Sequence, residues 1–202
     1  MILAKALVAA LLLFTLAVVP ARAQGLDPQL QEIRTLIREK RFPLALESLR
    51  LVARQIQDLR LETVSPAFPA APAGWTALSA LSLLEEDEIW SDRIAAQRSY
   101  VATPGPARID ITIDVHTPFA AAVAQSFNPI VVGADPLSRI LQFNGEKGLV
   151  RFNRDTGEGE LRVLVERTIL VTLRGRGIAS AEILVDLARK VDYPLLHGKS
   201  LQ

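Results

Sequence analysis

Cysteine does not occur among the 202 residues, so disulfides, thiolate metal centres and cysteine nucleophiles are excluded together, and no lipid-modified cysteine is expected. Histidine is almost as scarce: His116 and His197 are the only two, too few for an imidazole-rich metal site. Charge of one sign is lacking as well. The 23 basic side chains are matched by 22 acidic ones, which removes any electrostatic reason to expect nucleic acid or an anionic membrane as a partner. Beyond the first twenty residues, no apolar run approaches the length of about 18 that a membrane-spanning helix needs. The Gly-x-Ser-x-Gly elbow of many hydrolases is missing. Gly198-Lys199-Ser200 mimics the end of a phosphate-binding loop, but Tyr193 stands where the loop's first glycine belongs. The acidic run Glu85-Glu86-Asp87-Glu88 lacks the alternating spacing and central glycine of a calcium loop and reads as a solvated turn. No cofactor and no metal are implied.

What is present begins with an export signal. Lys5 supplies a positive start, residues 6–19 are apolar apart from Thr15, and Pro20-Ala21-Arg22-Ala23 ends in the small-x-small pattern of a signal-peptidase site. Cleavage is expected after Ala23, and the Ala-, Leu- and Arg-rich composition points to a bacterial periplasm. Losing Lys5 and Arg22 tips the mature charge slightly negative. The remainder is long enough for one domain with a helical appendage, held together by its core alone. The expected division is a signal peptide over 1–23, a helical hairpin over 24–64, a Pro-rich strap over 65–76 and an α+β domain over 77–202.

Helical spacing of Leu30, Ile33, Leu36 and Ile37 follows the capping pair Asp27-Pro28. A second stripe of Leu46, Leu49, Val52, Ala53, Ile56 and Leu59 follows Pro43, so two amphipathic helices form a hairpin. The strap Ser-Pro-Ala-Phe-Pro-Ala-Ala-Pro-Ala-Gly ends at Trp75, an aromatic suited to anchoring it on the core or to stacking on a ligand. Strand character starts near Arg98 and continues through residues 108–116, where Ile109, Ile111, Ile113 and Val115 alternate with Asp110, Thr112, Asp114 and His116. An alanine-rich helix over 119–127 is expected to end at Asn128-Pro129. Strands over 138–143 and 148–174 follow, joined by turns at Asn144-Gly145, Asn153 to Gly159 and Glu166-Arg167. The link Glu166-Arg167 is too short for a crossover helix, so its flanking strands are antiparallel. Gly175-Arg176-Gly177 then leads into a last amphipathic helix. The expected fold is α+β: an antiparallel sheet of about five to six strands with two helices on one face, preceded by the hairpin.

Residues 37–46, Ile-Arg-Glu-Lys-Arg-Phe-Pro-Leu-Ala-Leu, with Leu49 following, resemble the inter-helix turn of a tetratricopeptide repeat. That resemblance implies binding of a protein or peptide, although a single unit is present where a solenoid stacks three or more. The stretch from Pro72-Ala73-Gly74-Trp75 to the Ala188-Arg189-Lys190-Val191-Asp192 helix is similar in layout to a group of uncharacterised exported bacterial proteins. This second resemblance implies export and an α+β domain, and carries no activity.

Five residues are candidates for a site. Asp114 and His116 share a strand face, as a general base or carboxylate/imidazole pair would, and equally as the solvent face of a half-buried strand would. Arg174 and Arg176 flank the start of the last helix, where an anion can bind or where glycines simply permit a tight turn. Trp75 is the fifth. The expected function is a non-catalytic periplasmic accessory or protein-interaction protein whose partner is another envelope protein. The alternatives are a small-ligand binder with its pocket beneath the strap, and a hydrolase using Asp114 and His116.

Overall fold

In the computed structural model, residues 26–197 are described. The signal segment and Gly198-Lys199-Ser200 lie outside the described residues. The chain divides into two compact units with the boundary between Val52 and Ala53.

The first unit holds the first helix of the hairpin and the start of the second, whose remainder belongs to the second unit. Helix α1 (Leu26–Arg38) carries Asp27 in its first turn and Arg38 in its last, each matched to the helix dipole. It closes at Lys40, whose φ of 58° lets the Arg41 amide reach back to the Leu36 carbonyl at 2.9 Å. Helix α2 (Phe42–Val64) then begins. Ile33 and Leu36 of α1 and Ala45 and Val52 of α2 are buried.

The second unit is built on strand alternation. Eight strands form one antiparallel sheet: β1 (Trp75–Ala77), β2 (Leu81–Ser82), β3 (Ile94–Ala102), β4 (Arg108–Val115), β5 (Ser138–Phe143), β6 (Glu146–Asn153), β7 (Glu158–Val165) and β8 (Ile169–Arg176). Their order is β1-β3-β4-β8-β7-β6-β5, with β2 also paired to β3. The count exceeds the expected five to six because β1 and β2 are short pieces added at the β3 edge by segments that show no alternation of their own. The chain leaves the sheet after β4, returns as the edge strand β5, and comes back through a meander to set β8 beside β4.

Register places Ile113 beside Val171 and Val171 beside Val163, and Ile111 beside Leu173 and Leu173 beside Leu161. These side chains are fully buried and form one inner face. Helix α5 (Glu182–Arg189) lays Leu184, Val185, Leu187 and Ala188 against it, and α6 (Tyr193–Leu196) adds Tyr193 and Leu196. The strap covers the rest: Ala67 and Phe68 are buried in the same core, and the Tyr100 hydroxyl donates to the Pro69 carbonyl at 2.7 Å. Gly175 permits the close approach of Ile178 ahead of α5, since a Cβ there would stand 2.5 Å from it. Arg98 lies on the inner face opposite Ile111, with its guanidinium 5.1 Å from the Phe68 ring.

The alanine-rich helix forms as α3 (Ala120–Ser126). It shares a hollow with Leu164, which alternates with the core residues Val163 and Val165 and therefore faces away from them. Thus α3 lies on the outer side of the sheet, and α6 and the strap join α5 on the inner side. Asn128-Pro129, expected only to stop α3, also starts α4 (Pro129–Gly133): the Asn128 carboxamide accepts from the Ile130 amide at 3.0 Å.

The two buried tyrosines make opposite predictions. Tyr100 satisfies its hydroxyl, whereas the buried Tyr193 hydroxyl has no partner. Replacing Tyr100 by Phe is expected to cost about 1 kcal/mol at neutral pH, and replacing Tyr193 by Phe to be neutral or stabilising by up to about 1 kcal/mol. Burial pushes the Tyr100 hydroxyl up to about 12 and raises that of Tyr193 as well, with the Glu146 charge adding to the latter. Both folded values lie above the ordinary tyrosine value of about 10, so the stability they confer is complete below that pH and lost as pH rises through the folded values. Urea titrations at neutral and alkaline pH check this, with each variant showing a shallower alkaline decline than the parent.

Candidate functional site

Polar residues fill the outer-face positions of the strands, and where they gather is set by cross-strand pairing. Asp110 stands beside Arg174, and Arg174 beside Glu160. Glu160 accepts from Arg174 at 3.0 Å and from Arg162 at 2.7 Å. Asp110 accepts from Arg108 at 2.9 Å and from the Ser99 hydroxyl. Asp135 takes Arg151 at 3.0 Å, and its carboxyl is held below the usual range by the Ser138 hydroxyl first, then by the Leu137 amide and Arg151. A shallow cleft of about 330 Å³ opens over this row, lined by Arg151, Arg162, Arg174 and Arg176 together with Glu158 and Glu160. The two candidate arginines therefore do share a hollow. Glu160 pairs with two of its four arginines, Arg162 and Arg174, and Asp135 pairs with a third, Arg151.

The candidates Asp114 and His116 each take a different partner. The last three turns of α2 explain why. Gln57 donates to the carbonyls of Ile89 at 2.9 Å and Ser91 at 3.2 Å, and Arg60 donates to those of Ser91, Asp92 and Arg93. These bonds hold the acidic turn and its exit against the helix. Arg93 is thereby aimed at Asp114 and grips both carboxylate oxygens at 2.8 Å, while its other terminal nitrogen meets Glu88. The Asp114 bonds, followed by the charges of Asp114 and Glu88, hold the Arg93 guanidinium well above its usual range. The Glu85 amide, then Arg93, lowers Glu88. His116 sits beyond the end of β4 with φ at 57°, and its Nδ1 lies 2.9 Å from Asp92. Trp75 starts the edge strand β1, half buried against the core, with its backbone opposite Ala102.

A larger hollow on the outer face went unnoticed in the sequence. It spans about 860 Å³ between α3, α4 and the sheet, and includes Ala124, Phe127, Val131, Leu164, Lys147 and Arg167 in its lining. A second hollow of about 500 Å³ on the other side of α3 shares Ala124, Leu164 and Arg167 with it and ends at Asp92 and His116. The signal that was available is the link Glu166-Arg167. A two-residue link between antiparallel strands favours a type I′ or II′ turn, and here both residues hold the positive φ of type I′, at 47° and 63°. Among the described residues no group of acids and histidines is arranged to hold a metal ion, and no helix is long and apolar enough to cross a membrane.

No family model, no curated protein and no solved structure matches the chain.

The Arg93–Asp114 pair acts here as a structural clamp, and a substitution series separates it from a reactive carboxylate. Arg93→Met leaves a nearly buried carboxylate unpaired and is expected to cost about 2 kcal/mol or more. His116→Gln removes only a solvent-facing pair and is expected to cost less than about 0.5 kcal/mol. Chemical denaturation of both variants provides the measurement. Equal losses would remove the distinction.

Proposed function

We propose that this chain is an exported, non-catalytic accessory protein that binds another envelope protein through its helical hairpin. The observation that carries this reading is the apolar surface the hairpin leaves open. Within the first unit Leu30, Ile37, Phe42, Leu44, Leu46 and Leu51 are all exposed, Leu46 to 59%, against the four buried apolar residues Ile33, Leu36, Ala45 and Val52. An amphipathic helix pair that keeps so many large side chains in water has more apolar surface than its own packing uses, which is the signature of an interaction site. Leu30 and Ile37, and likewise Leu44 and Leu51, are seven residues apart and so form stripes two turns long. Export is supported by the positively charged start, the apolar run and the small-x-small site ending at Ala23. The ion-paired state of Asp114 supports a binding role over hydrolysis.

The test is site-specific photo-crosslinking in the cells that make the protein. A benzophenone side chain at Leu46 or Leu51 is expected to trap one discrete envelope protein, and Ile37→Glu to abolish that adduct while changing folding stability by less than about 0.5 kcal/mol. The mature N-terminus, read by mass spectrometry, is expected at Gln24. Absence of any adduct, or an adduct made only with a second copy of the chain, overturns the reading.

A further inference from the structure

Lys147 and Arg167 both line the larger outer-face hollow, and among the described residues neither makes an ion pair or a side-chain hydrogen bond. Glu146 also lines the hollow, and it and Glu166 both lie against His197. His197 stands 2.9 Å from Glu166 and 3.4 Å from Glu146, placing one imidazole between both carboxylates. Leu164 lies on the same wall, apolar on a sheet face that is otherwise largely polar, and Ala124, Phe127 and Val131 come from α3, α4 and their link. Two cations against one carboxylate beside an apolar trough are the complement of a ligand with an anionic head and a hydrocarbon tail.

The turn that carries Arg167 supports this independently. The same sheet contains a two-residue turn of the favourable kind, Asn144-Gly145, with φ of 50° and 94°. At the neighbouring turn the chain places Glu166 and Arg167 in the same left-handed region, where a side chain is strained and glycine is not. A glycine at 167 would carry no such strain and no positive charge.

We propose that the trough beside α3 binds a free fatty acid, the carboxylate between Lys147 and Arg167 and the chain along Leu164, Ala124, Phe127 and Val131. Position fixes the direction. Lys147 and Arg167 both line the larger hollow, whereas Arg167 is the one cation of the two that reaches the smaller hollow, which ends at Asp92 and His116, so the anionic head stays at the Lys147 side. The space of about 860 Å³ falls in the range of small-molecule sites, about 300–1,000 Å³. The wall adjusts to its occupant cheaply, since α3 buries only Val123 and α4 buries no side chain.

Calorimetric titration of the mature chain with decanoate below its micelle concentration, and with 1-decanol, tests the assignment. Decanoate is expected to saturate one site, and decanol to bind at least about ten-fold more weakly, as the loss of a charged hydrogen-bond partner implies. Lys147→Gln is expected to weaken decanoate binding by a similar factor, with Arg174→Gln in the neighbouring cleft leaving it unchanged. Arg167→Gly is the decisive variant: relief of the positive φ is expected to raise Tm by about 2–4 °C while decanoate affinity falls at least about ten-fold. A non-saturating uptake, equal affinity for the alcohol, association with phospholipid vesicles alone, or unchanged binding in Lys147→Gln and Arg167→Gly overturns the proposal.

Discussion

The pairing of β4 with β8 sets Ile111 beside Leu173, Ile113 beside Val171 and Val115 beside Ile169. Each of these side chains is buried, and each contributes about 1.5–3 kcal/mol through removal from water. A slip of one residue would turn this whole set outward and bring Asp110, Thr112 and Asp114 into the core, so the register is strongly specified. The two strands are separated by more than fifty residues of chain. The excursion between them has to leave the sheet, build the β5–β7 meander, and return in register. That constraint explains why α3 and α4 lie where they do. They carry the chain from the end of β4 past β7 to the start of β5, on the side of the sheet that the core does not occupy.

The two faces consequently differ in kind. On the inner face α5, α6 and the strap leave little room: glycines at 159 and 175 are needed for Leu184 and Ile178 to approach the strands. On the outer face ion pairs tie neighbouring strands together around Asp110, Glu160 and Asp135, and the helices touch lightly. The acidic turn before β3 is fixed by Gln57 and Arg60, and through Arg93 it clamps Asp114. Rigidity is therefore concentrated in the core and at that clamp. The α3–α4 segment buries a single side chain, Val123, within its two helices.

Much of the fold was legible because one-sided burial writes itself into the sequence with period two. The runs around Ile111, Val163 and Val171 show it plainly, as do the Asn144-Gly145 turn and the hairpin stripes. What was not legible had physical reasons. The pieces β1 and β2 owe their strand character to the edge offered by β3, so nothing in their own residues announces it. The side of the sheet taken by α3 depends on the path of the chain, which alanine content does not encode. Asp114 and His116 share a strand stripe, yet their partners, Arg93 and Asp92, arrive from a turn whose position is set by α2, far earlier in the chain. Of the five candidate residues, Arg174 and Arg176 fall in one cleft, and the hollow beside α3 is reached by none except His116, at its far rim. Lys147 and Arg167 are ordinary surface cations in sequence. Only strand pairing brings them to the same trough.

The division of the sheet into a sealed face and a responsive one is tested most directly by amide hydrogen exchange with and without decanoate. The account predicts slow exchange through global unfolding for β4 and β8, fast exchange by local opening for residues 120–133, and added protection confined to that segment and the 166–167 turn when decanoate is present. Exchange in 120–133 as slow as in β4 and β8, or protection by decanoate that falls on the inner-face strands, would contradict it.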